Sequence, residues 1–318
     1  MDKVISVLDQ TIQKSLLQDF RNYIKLNNHD KFVIYSDYCL GNKEKSNNVA
    51  SFTVAPAWTV FPEIVNKIQN AIPVDIKDHR VISRETIELL RDKSFFHINF
   101  IINDTTGLIL RRHKTGQDVA LKGIDESINM IEGWIVNQPE GIDKFQEQKN
   151  RFLHWRRELQ KKSPNLQLFK HIVLISLLAG YIAHMLTIEA KADIVAWFPD
   201  RDEITEAYNS VAFDLFEINH YGLCEYKGVD GSITKLGLGV KDEGSNKQWY
   251  DHLIRIPDHL AGTLSSWSMS ENRVAENKHA QILQDVFSDN EFCAIIEINI
   301  GKEKFTCGRR TVSASDAI

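Results

Sequence analysis

Apolar residues along the chain follow two spacings, one helical and one strand-like, and the alternation between them predicts an α/β fold. Val4, Ile5, Leu8, Ile12, Leu16, Leu17, Phe20 and Ile24 recur at helical intervals and stop at Asn27-Asn28, which predicts one amphipathic helix over residues 3–27. Phe32-Val33-Ile34-Tyr35 is then a short run rich in β-branched and aromatic residues, read as a buried strand that ends in Ser36-Asp37. A polar turn over 41–48 and a second strand-like run over 49–55 make a hairpin. Pro62 and Pro73 break the next periodic stretch, 61–91, into two short helices, and 95–103 reads as a third strand with Asp104 just past its end. Residues 118–162 are polar and helical, anchored by Trp134 and Trp155 and broken at Pro139-Glu140-Gly141. A long apolar helix over 172–188 leads into a strand over 193–198, closed by Pro199-Asp200. A helix over 204–220 and a strand over 232–240 follow. Pro257 suits a first helical turn, which places Asp258 at a helix start. A helix over 272–287 and a strand over 292–300, paired with 304–307, read as an appended unit before a frayed end.

The apolar segment 172–188 has to be tested as a membrane span. It is about 17 residues long, the short limit for crossing a bilayer, it contains Ser176 and His184, and it runs straight into a strand; a buried crossover helix is the better reading. The N-terminal helix carries Asp9, Lys14 and Asp19 and lacks the unbroken apolar stretch of a signal peptide, so a cytoplasmic protein with no membrane partner is expected. Cys39, Cys224, Cys293 and Cys307 show neither metal-ligand pairing nor a dense disulfide pattern, which fits reduced thiols. With 318 residues, 43% hydrophobic and 25% charged, the chain can bury a large core. Its net charge of -5 supplies no overall attraction to nucleic acid, so such a partner needs a local basic patch or a metal ion.

Candidate chemistry lies in carboxylates at strand ends. Asp37 and Asp200 close two strands of the same grammar; if the strands are neighbours, two like charges meet at one sheet edge, where a divalent cation relieves their repulsion. Asp258 is the third candidate, and Asp104 is another carboxylate at a strand end. Taken singly, each has a plain structural alternative. Asp104 sits in good turn chemistry, and Asp200-Arg201-Asp202-Glu203 before a helix reads equally as N-terminal capping. Arg111, Arg112 and Lys114, with His113 among them, form a compact basic cluster that is either a solvated face or a phosphate contact on a loop. His259 reads as packing or as a proton donor, Cys39 as a small buried residue, and Trp197 and Phe198 as core.

The order of these pieces resembles the ribonuclease-H-like fold and, more narrowly, the bacterial domain-of-unknown-function family 3800. The stretches that carry the resemblance are Ser36-Asp37-Tyr38-Cys39, Pro199-Asp200-Arg201-Asp202 and the run from Ile254 to Gly262 around Asp258, within residues 31–268. They depart from the family pattern at Tyr38, where a Glu is usual, and at Pro257, where a small residue is usual. The resemblance implies a ribonuclease-H-like mixed sheet flanked by helices over residues 31–270, with a helical insertion at about 105–165. Residues 1–30 would form a helix packed on the core, and 271–318 a small extension. It further implies a nuclease that hydrolyses phosphodiester bonds of DNA or RNA with two Mg²⁺ or Mn²⁺ ions about 4 Å apart. Asp37, Asp200 and Asp258 would be both catalytic and metal-holding, with Asp202, Glu203 or Asp104 as a fourth ligand, and the basic cluster of Arg111, Arg112 and Lys114 is then the expected contact with the nucleic acid. A homo-oligomer is compatible with this reading. The rival expectation is a non-catalytic module that keeps the fold and binds protein or nucleic acid.

Overall fold

The computed structural model describes residues 2–73, 80–104, 113–239, 248–301 and 305–313, without the side chains of residues 2, 3 and 113–115. Among the described residues nine strands form in chain order: β1 (Lys31–Cys39), β2 (Asn48–Pro56), β3 (Phe96–Asp104), β4 (Ile194–Pro199), β5 (Lys235–Leu238), β6 (Trp267–Ser268), β7 (Arg273–Val274), β8 (Cys293–Ile300) and β9 (Phe305–Arg310). Seven of them make one mixed sheet in the order β5-β4-β1-β2-β3-β8-β9, while β6 and β7 form a separate ribbon. The expected hairpin is present: β1 and β2 are antiparallel, as are β2 and β3. On the other side of β1, β4 runs parallel to it and β5 runs parallel to β4. The fold is therefore α/β with a mixed sheet.

Ten α-helices accompany the strands among the described residues: α1 (Asp2–Ser15), α2 (Leu17–Asn27), α3 (Pro62–Ala71), α4 (Arg84–Leu90), α5 (His113–Asn137), α6 (Ile142–Leu159), α7 (Leu166–Glu189), α8 (Glu203–Tyr226), α9 (Asp251–Ser265) and α10 (Asn277–Ile282). The chain divides into two compact units. The first holds residues 1–105, 185–200 and 232–318, and with them the whole sheet; the second holds 106–184 and 201–231.

In the first unit, strand alternation separates two faces of the sheet. Phe32 of β1 and Phe96 of β3 lie on one face, where Phe20 and Tyr23 of α2 pack against them. The Tyr23 hydroxyl reaches the carbonyls of Val54 (3.1 Å) and Ser94 (3.0 Å), so its polar end is satisfied although the ring is fully buried. Val33 and Tyr35 lie on the opposite face, in a core built with Leu253, Ile254, Ile256, Leu260 and Ala261 of α9. The single N-terminal helix expected over 3–27 is two helices, because the backbone turns out of helical geometry at Leu16 (φ -126°). Its end is as expected: Asn28 closes α2 in the left-handed conformation, which Asn tolerates.

Two further expectations are corrected. Residues 267–274 form the β6-β7 ribbon, so the helix expected from 272 begins at Asn277 and continues as a π-helical turn over Leu283–Phe287. The strand expected in an appended unit is β8, which is hydrogen-bonded in parallel to β3 and so extends the main sheet. No local pattern encodes that pairing, which joins residues almost two hundred positions apart.

In the second unit, α6 and α8 carry buried charge in compensated form. Arg151 forks onto Asp214 through two hydrogen bonds (2.6 and 2.8 Å), and Glu217 receives Lys144 (2.7 Å) and Gln148 (2.6 Å). The helix expected over 204–220 is interrupted: Tyr208, Asn209 and Ser210 have φ of 54°, 58° and 61°. Left-handed backbone costs about 1–2 kcal/mol per residue. Stacking of the Tyr208 ring on Trp155 (5.6 Å between centroids) offsets part of that. Segment 172–188 lies within α7, which is long and apolar enough to cross a membrane, but 78% of its apolar window is buried inside the protein. That burial makes it a core helix.

Gly180 shows how closely α7 approaches α8, since a Cβ there would lie 2.8 Å from the Asn219 Cβ and 3.1 Å from the Phe216 carbonyl oxygen. Gly180→Ala is expected to destabilise the protein by about 1–3 kcal/mol through overpacking against backbone, read as a lower midpoint in urea denaturation. Gly123 has open space around the same position, so Gly123→Ala is the control expected to leave the midpoint equal or higher.

Candidate functional site

The register between β1 and β4 decides where the carboxylates go. Tyr35 pairs with Phe198 and Ser36 with Pro199, so Asp37 and Asp200 are the next pair in line. The Asp200 N–H donates to the Ser36 carbonyl (2.7 Å), which carries the ladder to the end of the strand. Alternation then puts both carboxylates on the face covered by α9.

Helix α9 supplies the third. Tyr250, at its N-cap, stacks on Phe198 of β4 (5.0 Å, 16° between planes) and donates its hydroxyl to the Gly239 carbonyl (3.1 Å). At the other end the Asn47 side-chain amide donates to the carbonyls of Leu264 and Trp267, both at 2.7 Å. Ile254, Asp258 and Ala261 share one helical line, and because Ile254 and Ala261 are in the core against the sheet, Asp258 is delivered onto β1. The expectation that Pro257 opens this helix is corrected: it is the seventh residue of α9. It leaves the Leu253 carbonyl without its usual intrahelical donor. Burial of the surrounding residues holds the helix through the proline.

Asp37, Asp200 and Asp258 therefore come together, and Asp37 records it electrostatically. Burial, the charge of Asp258, the charge of Asp200 and a hydrogen bond with the Asp258 carboxyl all raise its pKa well above the ordinary carboxylate value. Only the Tyr38 N–H opposes them, by donating to it. Two carboxylates this close repel each other, and a hydrogen bond between them forms only while one of them holds a proton. Each of the three is half-buried.

Asp202 and His259 have local partners, and Asp104 lies on the opposite face of the sheet. One oxygen of Asp202 accepts from the Ile204 and Thr205 N–H groups (2.8 and 3.1 Å), and the Thr205 hydroxyl accepts from the Asp202 N–H, making a capping box for α8. Asp104 ends β3, and alternation places it on the face opposite Asn99, away from the trio. His259 is fully buried and its Nδ1 bonds the Arg255 carbonyl of its own helix (2.8 Å). Tyr38 also points to the far face, where its hydroxyl meets Ser36 Oγ (2.5 Å), itself bonded by Trp197 Nε1 (2.9 Å). Arg111 and Arg112 lie outside the described residues; the backbone of Lys114 begins α5 and its side chain lies outside them.

Among the described residues, no group of three or more His, Cys, Asp and Glu is arranged ready to hold a metal ion. The donor chemistry of the trio nevertheless fits a hard divalent cation, since it offers only carboxylate oxygens, on two strand ends and one buried helix.

Sequence reasoning missed two polar residues on the same rung. Asp37 pairs with Ser51 of β2, and Ser51 pairs with Asn99 of β3. Both are fully buried, inside runs whose composition reads simply as strand. No family model, curated protein or solved structure matched the chain.

The raised pKa of Asp37 has a signed consequence. Between its unfolded value, near 3.9, and its higher folded value, the folded state holds a proton that the unfolded state has lost, so stability falls as pH rises through that window. Asp37→Asn is expected to melt above the wild type at pH 7 in chelator-treated buffer, the advantage vanishing below about pH 3.5, where Asp37 is protonated in both states. Thermal melts of both proteins from pH 3 to 8 check this.

Proposed function

We propose that the protein is a divalent-metal-dependent phosphodiester hydrolase, a nuclease with a ribonuclease-H-like core, in which Asp37, Asp200 and Asp258 hold Mg²⁺ or Mn²⁺. One observation carries the reading. Carboxylates from residues 37, 200 and 258, far apart in the chain, meet where two parallel neighbouring strands end under a buried helix, and Asp37 feels both of the others. The order of elements that underlies the resemblance supports it too: a carboxylate strand, antiparallel strands, a long apolar helix, a parallel carboxylate strand beside the first, and a helix bearing the third acid.

A bound Mg²⁺ or Mn²⁺ supplies an activated water and neutralises charge on the phosphate oxygens. The protein's own part is to hold acids where they repel one another. The β1-β4 ladder fixes Asp37 and Asp200, and the pinned ends of α9 fix Asp258, so the cost of crowding is met by the fold rather than at the moment of binding. Asp37, between the other two, is the central ligand. Asp202 serves α8 as its cap in this reading. Arg111, Arg112 and Lys114 remain the proposed backbone contacts, and DNA or RNA the proposed partner. Tyr38, turned away and bonded to Ser36, favours the alternative of a non-catalytic binding module.

Labelled single- and double-stranded DNA and RNA, incubated with Mn²⁺, separate the two. The wild type is expected to cut at least one of them, and Asp37→Ala, Asp200→Ala and Asp258→Ala each to lose about 10²-fold or more, since even outer-shell changes at metal sites cost 10–100-fold. Equal cleavage by wild type and variants, or none by the wild type, rejects the nuclease in favour of the binding module.

A further inference from the structure

The rung of the sheet that carries Asp37 is unlike its neighbour. One rung back, Tyr35, Thr53 and His97 stand side by side, and the polar pair is closed: Thr53 Oγ1 and His97 Nδ1 are 3.0 Å apart, while His97 Nε2 donates to the Leu90 carbonyl (2.9 Å). On the Asp37 rung the corresponding pair is Ser51 and Asn99. Asn99 commits its amide nitrogen to the Ala294 carbonyl (3.1 Å), and among the described residues neither Ser51 Oγ nor Asn99 Oδ1 has a hydrogen-bond partner, although both residues are fully buried.

A buried hydroxyl with no partner destabilises the fold, and alanine would fill the same strand position without that cost. Ser51 lies directly across from Asp37 on the same face, where Cβ atoms of paired residues stand about 4.5–5.5 Å apart. Reorienting two short side chains brings a serine O–H onto a carboxylate oxygen at that spacing. Asp37 already accepts from the Tyr38 N–H, and a carboxylate that faces a cation keeps lone pairs for a further donor.

Resting on the metal-site reading above, we propose that Ser51 is a positioning residue of the carboxylate site: its hydroxyl donates to Asp37 when Asp37 faces a divalent cation, and so selects the metal-holding orientation. The outer partners of metal ligands act in this way generally, by fixing the ligand's orientation.

The test is Mn²⁺ affinity, read from the rise in melting temperature of the full chain across a Mn²⁺ titration. Wild type, Ser51→Ala, Thr53→Val and Asp37→Asn are compared. Ser51→Ala is expected to melt at or above the wild type without metal, because it removes an unpaired buried group, yet to bind Mn²⁺ about tenfold more weakly. Thr53→Val, which breaks a closed pair, is expected to melt lower without metal and to bind Mn²⁺ as the wild type does. Asp37→Asn is expected to lose the Mn²⁺ response. If Ser51→Ala binds Mn²⁺ like the wild type while Asp37→Asn does not, the metal site stands and the role of Ser51 is overturned. A lower metal-free melting temperature for Ser51→Ala overturns it as well, since Ser51 would then be structural. A wild type that shows no Mn²⁺ response removes the metal site itself, and the role of Ser51 with it.

Discussion

Hydrogen bonding between β1 and β4 is the constraint on which the site depends. Parallel pairing places the C-terminal ends of both strands at the same edge, and the register Ser36 to Pro199 makes Asp37 and Asp200 the next residues out. A slip of one residue would send one of the two acids to the opposite face. Apolar burial holds the register, because Tyr35 and Phe198 must both face α9 while Ser36 and Trp197 must both face away. Hydrophobic packing thus sets the distance at which two negative charges are forced to meet.

Helix α9 completes the arrangement by the same means. Its ends are tied down by Tyr250 against Phe198 and by Asn47 against the last carbonyls, and its middle is held by aliphatic side chains buried on the sheet. Pro257 inside the helix sacrifices one backbone hydrogen bond, which that burial outweighs. Asp258 is therefore presented from a rigid element. The result is a carboxylate trio held together against its own repulsion.

Polar side chains on the α9 face of the sheet fall into two kinds. Thr53 and His97 close on each other and on Leu90, and burial pushes the His97 pKa down to about 4, so it remains neutral and acts as a structural bridge. Ser51 and Asn99, one rung nearer the carboxylates, leave an oxygen each unbonded among the described residues. Unbonded buried atoms next to a charged cluster are where a fold gives up stability for a site's needs. The second unit shows the contrasting case, since its buried acids Asp214 and Glu217 are matched by Arg151, Lys144 and Gln148 and carry no excess charge.

Much of the architecture was legible in the chain itself. Short β-branched and aromatic runs marked β1 to β4, helical spacing marked the helices, and abrupt carboxylates after apolar runs singled out Asp37 and Asp200, because these are properties of residues close in sequence. Local patterns also overreached at Leu16, at residues 208–210 and at Pro257, where packing with distant elements outweighed propensity. Other features depended on pairing between distant segments: the parallel neighbours β1 and β4, β8 joining β3, and Ser51 and Asn99 on the rung of Asp37. Which strands become neighbours, and in what register, is settled by the total burial and hydrogen bonding of the folded sheet, a sum over the whole chain that no window of sequence contains.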